Sequence, residues 1–388
     1  MSEPVFTVEW VSSESGISQA LWDACFPPPL EGRWWYRALE RCGIEDQFQF
    51  MYGVVHMQGQ PVAIVPAFVM GVPITLILPP WLLPVAGLLG RIAPSVLRQR
   101  TLFVGSPCSD EGAVGITPGA DRLAVLQCVQ QALRVQARKL DAPMLVWKDF
   151  PASFENVMEP LSRSAGMFRM ISFPGTAVDL PASKEDYFDA LKASRRHLLK
   201  KKLRRSAENV AVDIDVVQQP GAESMDEIFG LFWQTYEKAT TKFERLNRRF
   251  FDLIAQEPQS YFITLRERST GKLVAFMLCF AFRDHIINKF IGIDYRRPKE
   301  WYLYFRLWGA VLDWSYSRSA RSIQSGQTGY APKIEIGHKL VPLTNYCAHR
   351  NPLIHRIYAA VARTVSWQTL DADLARHLAT HPENMPGA

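Results

Sequence analysis

Two short stretches of the chain gather side chains that can do chemistry. The first is SGQTGYAPKIEIG, residues 325–337. Tyr330 and Lys333 lie three apart at the start of a short predicted helix, so they share a face. A tyrosine hydroxyl can donate a proton and a lysine can bind phosphate or carboxylate. Gln327, at the end of the preceding predicted strand, can orient a carbonyl. The structural alternative is that Gly326, Gly329 and Pro332 simply shape a tight connection. The second stretch is DYRRPKEWYLYF, residues 294–305. Asp294 is the first carboxylate past an apolar run, and Glu300 starts the next predicted helix. Either can accept a proton, directly or through water. Arg296, Arg297 and Lys299 lie between them and offer charge to an anion. The competing roles are a turn cap for Asp294 and a partner of the helix macrodipole for Glu300.

Other residues narrow the chemistry. His338, His349 and His355 lack metal-ligand spacing, HEXXH is absent, and there is neither a GxSxG elbow nor a P-loop. No metal site is expected. His285 reads as an exposed turn residue in Arg283-Asp284-His285, and Cys279 as a packing residue of an apolar strand. Cys25, Cys42, Cys108, Cys128, Cys279 and Cys347 form no CxxC pair, which fits a reducing cytosol better than a disulfide or zinc framework. The opening MSEPVFTVEW predicts no signal peptide. A net charge of +6 points to an anionic partner without choosing among nucleotide, nucleic acid and membrane.

These residues need a scaffold. The 388 residues, 48% of them hydrophobic, suffice for two packed domains. An element order recurs. Helix 34–42, strand 48–56, a turn at Gln58-Gly59 and strand 61–70 are echoed by helix 249–256, strand 261–267, a turn at Thr270-Gly271 and strand 273–282. Helix 121–139 with strand 144–147 is echoed by helix 302–317 with strand 322–327. In the first, Leu123, Leu126, Val129, Leu133 and Val135 are apolar positions. Strand candidates 169–178 and 340–349 close the two copies. The order predicts two α/β domains, 1–180 and 181–388, each a mixed sheet flanked by helices. The first copy carries an extra stretch, 72–105. Residues 61–90 hold no charge but contain six prolines, which break any single helix. The part from 74 to 92 reads as a buried loop or as a membrane-surface lid.

Two helices are basic. Between 192 and 205 stand Lys192, Arg195, Arg196, Lys200, Lys201, Lys202, Arg204 and Arg205 with no acid, and Leu191, Leu198, Leu199 and Leu203 give an apolar side. This reads as a docked linker helix, a phosphate or tRNA binder, or a membrane adsorber. A second helix, starting at Asn351-Pro352, sets Leu353, Ile357, Tyr358, Val361 and Val365 against Arg356 and Arg363.

The hairpin, crossover helix and further strand resemble the GNAT-fold acyltransferases, and two such units in tandem resemble their FemAB-like branch. The string LKASRRHLLKKKLRRSAENVAVDIDVV is similar to the helix that opens the FemAB-like module in many bacterial proteins. SGQTGYAPKIEIG resembles the family's strand end followed by Tyr, Lys and Gly. The resemblance implies two tandem GNAT-like (acyl-CoA N-acyltransferase) domains, the second catalytic. It implies N-acyl transfer from an acyl thioester, acyl-CoA or acyl-carrier protein, to an amine, with no permanently bound cofactor. Tyr330 would then protonate a leaving thiolate. Asp294 or Glu300 would accept the amine proton and Gln327 would orient the carbonyl. Arg296, Arg297, Lys299 and Lys333 would hold the co-substrate. The Gly-rich pyrophosphate turn usual in GNAT proteins is missing at 294–305. The apolar excursion and basic helices favour a long-chain donor or a sphingolipid-type amino-lipid acceptor, and a cytoplasmic protein peripheral on the inner face of the membrane. The alternatives are an aminoacyl-tRNA-dependent transferase of cell-wall synthesis and a non-catalytic membrane-surface binding protein.

Overall fold

The computed structural model describes residues 6–73, 98–239 and 242–381. The chain divides into two compact units, Met1–Phe173 with Pro342–Ala388, and Pro174–Val341. The strands run in chain order as β1 (Phe6–Val11), β2 (Gln49–Met57), β3 (Gln60–Pro73), β4 (Arg98–Val104), β5 (Gly115–Ile116), β6 (Met144–Pro151) and β7 (Phe168–Ile171). Then follow β8 (Gly175–Asp179), β9 (Val212–Val217), β10 (Ser260–Glu267), β11 (Leu273–Phe282), β12 (His285–Ile293), β13 (Ser322–Gln324), β14 (Lys339–Val341) and β15 (Leu343–His349).

The first unit's sheet has the order β1-β2-β3-β4-β6-β15-β7, with β5 beside β3. The second has β9-β10-β11-β12-β13-β8-β14. Read this way, the two orders correspond strand for strand. In each, one neighbouring pair is parallel, β4 with β6 and β12 with β13, and the rest are antiparallel. The expected repeat is therefore present, but its closing strands differ from expectation. Segments 169–178 and 340–349 are not single strands. Each is two strands lying in different sheets, separated at Pro174 and Pro342. A proline has no amide to give a ladder, so pairing ends there. Each sheet consequently takes its sixth strand from the other half of the chain. This also corrects the expected boundary at 180/181, because residues 342–388 belong with the first unit.

The expected insertion, 72–105, shrinks at both ends. Its last residues are β4, which pairs with β3 and β6, and β3 itself runs to Pro73. The stretch 74–92 lies outside the described residues. Among the described residues, no helix is long and apolar enough to cross a membrane.

Each unit has its own core. In the first, the helix Arg122–Lys139 starts where Asp121 accepts from the amides of Leu123 at 2.9 Å and Ala124 at 3.1 Å. It buries Val125, Leu126, Val129, Leu133 and Ala137 on the sheet. Val135, expected on that face, points to solvent. In the second, the helix Leu303–Ser317 buries Leu307, Trp308, Val311 and Leu312.

The helix Ala222–Lys238 lies so close over β12 that only glycine fits at position 292. A Cβ there would come within 2.7 Å of the Leu231 carbonyl carbon and 2.4 Å of the Phe276 ring. Overpacking of this kind costs about 1–3 kcal/mol. Gly292→Ala should lower the urea midpoint accordingly, and an unchanged midpoint would show that helix and strand can separate freely.

The basic helix Ala193–Asn209 is tied into the second unit. Arg195 donates to the Ile334 carbonyl at 3.2 Å, Arg196 pairs with Asp189 at 3.0 Å, and Lys202 pairs with Glu335 at 2.6 Å. Leu199 is buried, whereas Leu198, expected beside it, is exposed.

Candidate functional site

β12 and β13 pair at only three positions, His285↔Ser322, Ile286↔Ile323 and Ile287↔Gln324. β12 then runs on to Ile293 with no partner on that side among the described residues. The parallel strands part, leaving an open edge with free backbone groups in the interior of a sheet. Across its other edge, β12 meets β11 with a register shift that leaves Lys289 without an opposite residue. Such a bulge bends the strand and re-aims its side chains. His285, expected in a turn, starts the strand and contacts the Ser322 hydroxyl through Nδ1 at 2.6 Å.

The loop leaving β13 is held rigidly beside this opening. Gly326, Thr328 and Gly329 all have φ between 55° and 62°. Thr328 tolerates this left-handed conformation only because its surroundings enforce it. Ser325 N–H donates to the Thr176 carbonyl at 2.8 Å, and Thr176 Oγ1 donates to the Gly326 carbonyl at 2.8 Å. Lys333 Nζ donates to the carbonyls of Ser325, Gly326 at 3.3 Å and Gln327 at 3.1 Å.

A polar chain crosses the opening. Cys279 Sγ donates to Asn288 Oδ1 at 3.2 Å, and Asn288 Nδ2 donates to Ser325 Oγ at 3.1 Å. Ser325 Oγ lies 2.9 Å from His338 Nε2. His338 is only 5% exposed and sits edge-on to Trp308. Burial, with the Lys333 charge added, pushes its pKa down to about 3, so it is neutral at ordinary pH. The Lys333 carbonyl opposes this weakly, and among the described residues Nδ1 forms no hydrogen bond of ordinary geometry.

The residues expected to act fall into three groups. Gln327 and Lys333 belong to the clamped loop, and Gln327 Nε2 is buried without a hydrogen-bond partner among the described residues. Tyr330 lies in the loop's foundation, fully buried, with its hydroxyl donated to the Pro174 carbonyl at 2.9 Å. Asp294, Arg296 and Arg297 form an ionic cluster past the end of β12. Arg296 Nε lies 2.7 Å from Asp294, and Arg297 Nη2 lies 2.8 Å from Glu267. Burial alone would raise the pKa of Asp294, but the hydrogen bonds and charges of the two arginines outweigh it and lower the pKa. A carboxylate held this way is a poor base. Glu300 and Lys299 are exposed on the short helix Lys299–Trp301.

Three further groups were not singled out from the sequence as site residues: Asn288, Ser325 and Arg306. Arg306 stands in the first turn of Leu303–Ser317, and its Nε is buried with no partner among the described residues. An orphaned guanidinium nitrogen at a helix N-terminus suits a phosphate. His338 was noticed only as a residue lacking metal-ligand spacing.

Residues 179–366 match the FemAB-like family, described as acting in peptidoglycan biosynthesis/recognition. These residues therefore resemble a FemAB-like module. The whole chain folds as two tandem GNAT-like domains. Its fold is similar to that of FemX, with a TM-score of 0.59 at 8% identity over 90% of this chain and 100% of FemX. It is also similar to a tandem GNAT protein from the clavulanic acid biosynthesis pathway, with a TM-score of 0.52 at 12% identity over 90% and 99%. A conserved protein of unknown function from Bacteroides thetaiotaomicron gives 0.51 at 10% identity over 88% and 99%. Identities this low speak to fold alone. No curated protein sequence matches the chain.

The corresponding place in the first unit is filled by the protein itself, which favours the FemAB-like module as the site. There β4 and β6 pair at four positions, and β6 continues into Lys148 and Asp149. Asp149 is buried at φ 59°, ion-paired with Lys148, and accepts from the Ser172 hydroxyl. Its amide donates to Asn345 Oδ1 at 2.7 Å. Gly112 packs so tightly here that a Cβ would lie 2.0 Å from the Lys148 carbonyl oxygen.

Proposed function

We propose that the FemAB-like module transfers an acyl group from an activated ester to an amine, at the opening between β12 and β13. The observation that carries this reading is the parting of two parallel strands beside a clamped loop that ends in a polar chain. An extended thioester arm, as in acyl-CoA or acyl-carrier protein, carries amides that can pair with the open edge of β12 as an added strand would. Arg306 and Lys299 would take its phosphates.

Ser325 is the donor to the reacting carbonyl. In the neutral tautomer that carries its hydrogen on Nε2, His338 donates to Ser325 Oγ alongside Asn288 Nδ2, and that pair of donors leaves the serine's own hydrogen free for the opening. Gln327 Nε2 adds a second donor. Both stabilise the oxygen as it gains charge, where a preorganised donor is worth most. His338, neutral and hard to protonate, orients Ser325 rather than taking the amine proton. Asp294 is likewise ill-suited to that task. The amine therefore attacks in its neutral form; as its C–N bond forms, the bond from the acyl carbon to the donor's sulfur or oxygen breaks, and the amine's proton passes through water to the departing thiolate or alkoxide. The acyl donor is long-chain and the acceptor an amino-lipid, a reading supported by the exposed apolar and basic helix surfaces.

A second reading, aminoacyl transfer from tRNA to a cell-wall precursor, is supported by the family's description in peptidoglycan biosynthesis/recognition. Mass spectrometry of amide products separates the two. The purified chain would be given palmitoyl-CoA with a sphingoid base, or aminoacyl-tRNA with a muropeptide precursor. An amide from the first mixture supports the first reading, and from the second alone, the second. No product from either counts against transfer itself. With an active donor, Arg306→Leu should raise its KM about tenfold and leave kcat unchanged, the loss of one charge-assisted contact.

A further inference from the structure

The first unit holds a cavity of about 360 Å³ at the end of its sheet opposite Asp149. Arg134, Arg138, His349, Arg350, His355 and Arg356 line it, and among the described residues no acid does. Their charge is barely offset. Arg350 reaches Asp141 at 3.2 Å, and Arg134 donates to the Ala165 carbonyl. Among the described residues, Arg138 and Arg356 have no side-chain partner. Both histidines are held below their ordinary pKa, chiefly by burial, so at neutral pH the four arginines carry the charge.

The surface beside this cavity is apolar. The helix Pro352–Ala362 presents Pro352, His355 and Arg356 to the cavity. One side further round, it exposes Leu353 at 67% and Ile357 at 51%. These two are four apart and so share a face. Ala360 lies along the same stripe, and Arg363 beside Arg356. A soluble helix usually turns such leucines and isoleucines inward. Here the inward side is already supplied by Ile354, Tyr358 and Ala362. Uncompensated arginines around a cavity call for an anion, and the adjoining bare aliphatic side chains call for a hydrocarbon boundary. One partner supplies both.

We propose that this face docks on an anionic phospholipid membrane, with a lipid phosphate in the arginine cavity and Leu353 and Ile357 inserted between headgroups. The site is separate from the transfer cleft and stands whether or not the transfer reading does. It places the protein where a lipid substrate would be presented.

The test is co-sedimentation of the full chain with vesicles of equal phosphatidylcholine and phosphatidylglycerol, against phosphatidylcholine alone. Binding should require phosphatidylglycerol and weaken as salt rises. Each arginine at an anionic surface contributes about fivefold to partition, so Arg138→Gln with Arg356→Gln should lose about 25-fold. Leu353→Ser with Ile357→Ser should lose at least about tenfold. All four side chains are exposed, and circular dichroism checks that the variants fold. Equal binding to both vesicle types, or no loss in the arginine pair, overturns the proposal. So does a melting temperature raised by glycerol phosphate without any vesicle binding, which would make the cavity a site for a soluble phosphate compound.

Discussion

Ser325→Ala is expected to reduce turnover by about 100- to 1,000-fold, the usual consequence of removing one preorganised donor to a developing oxyanion. The Michaelis constant for the donor should change little, because the hydroxyl acts on charge that develops only in the transition state. The backbone of the loop does not depend on this side chain. Its position is fixed by Thr176 and by the three carbonyls that Lys333 holds. Tyr330→Phe is the informative companion. Its hydroxyl is buried and committed to the Pro174 carbonyl, so its loss should cost about 1 kcal/mol of stability and leave turnover within about twofold. The sequence alone led to the opposite expectation, a tyrosine acting as proton donor. Full activity of Ser325→Ala with a tenfold loss in Tyr330→Phe would restore that expectation and move the reacting carbonyl to the other side of the loop.

Acid should destabilise the second unit from slightly acidic pH onward. The folded protein holds the pKa of His338 near 3, whereas the unfolded chain protonates it near 6.5. As the pH falls below about 6.5, the unfolded state binds the proton and the folded state does not. Stability therefore falls by about 1.4 kcal/mol per pH unit until about pH 3, and above pH 6.5 this group has no effect. At pH 4.5 the loss is on the order of 3 kcal/mol. His338→Gln removes the titration. Its urea midpoint should fall less steeply between pH 6.5 and 4.5 than that of the unaltered protein. Parallel slopes in the two proteins would mean that His338 titrates normally and is not sealed against Trp308.

Much of the scaffold was legible because it rests on local patterns. The Gly turns at Gln58-Gly59 and Thr270-Gly271 and the apolar spacing along the helix from 121 to 139 each write their element into neighbouring residues. The exchange of closing strands was not legible. Pro174 and Pro342 mark the breaks, but nothing near them says which sheet a four- or five-residue strand will join. The site was half legible for a related reason. SGQTGYAPKIEIG announced a special loop by its glycines, and Lys333 and Gln327 do belong to it. Which side chain faces the opening depends on partners far along the chain. Ser325 meets Asn288 across 37 residues of sequence. Tyr330 meets Pro174 across 156, and that contact turns it from a candidate acid into a foundation.

The exchanged strands also decide when the protein can be finished. On a ribosome β6 and β7 emerge before any of the second unit, but β15, the strand that must lie between them, is made only after all of it. Until β15 arrives, two strand edges in the middle of that sheet have nothing to bond. In the second sheet β8 waits in the same way for β13 and β14, the neighbours that flank it. Both sheets thus close only as β13, β14 and β15 are made, and until then their unpaired edges are open to aggregation. For the same reason a cut at residue 180 yields no independent domain, because it removes β15 from the first sheet and β8 from the second.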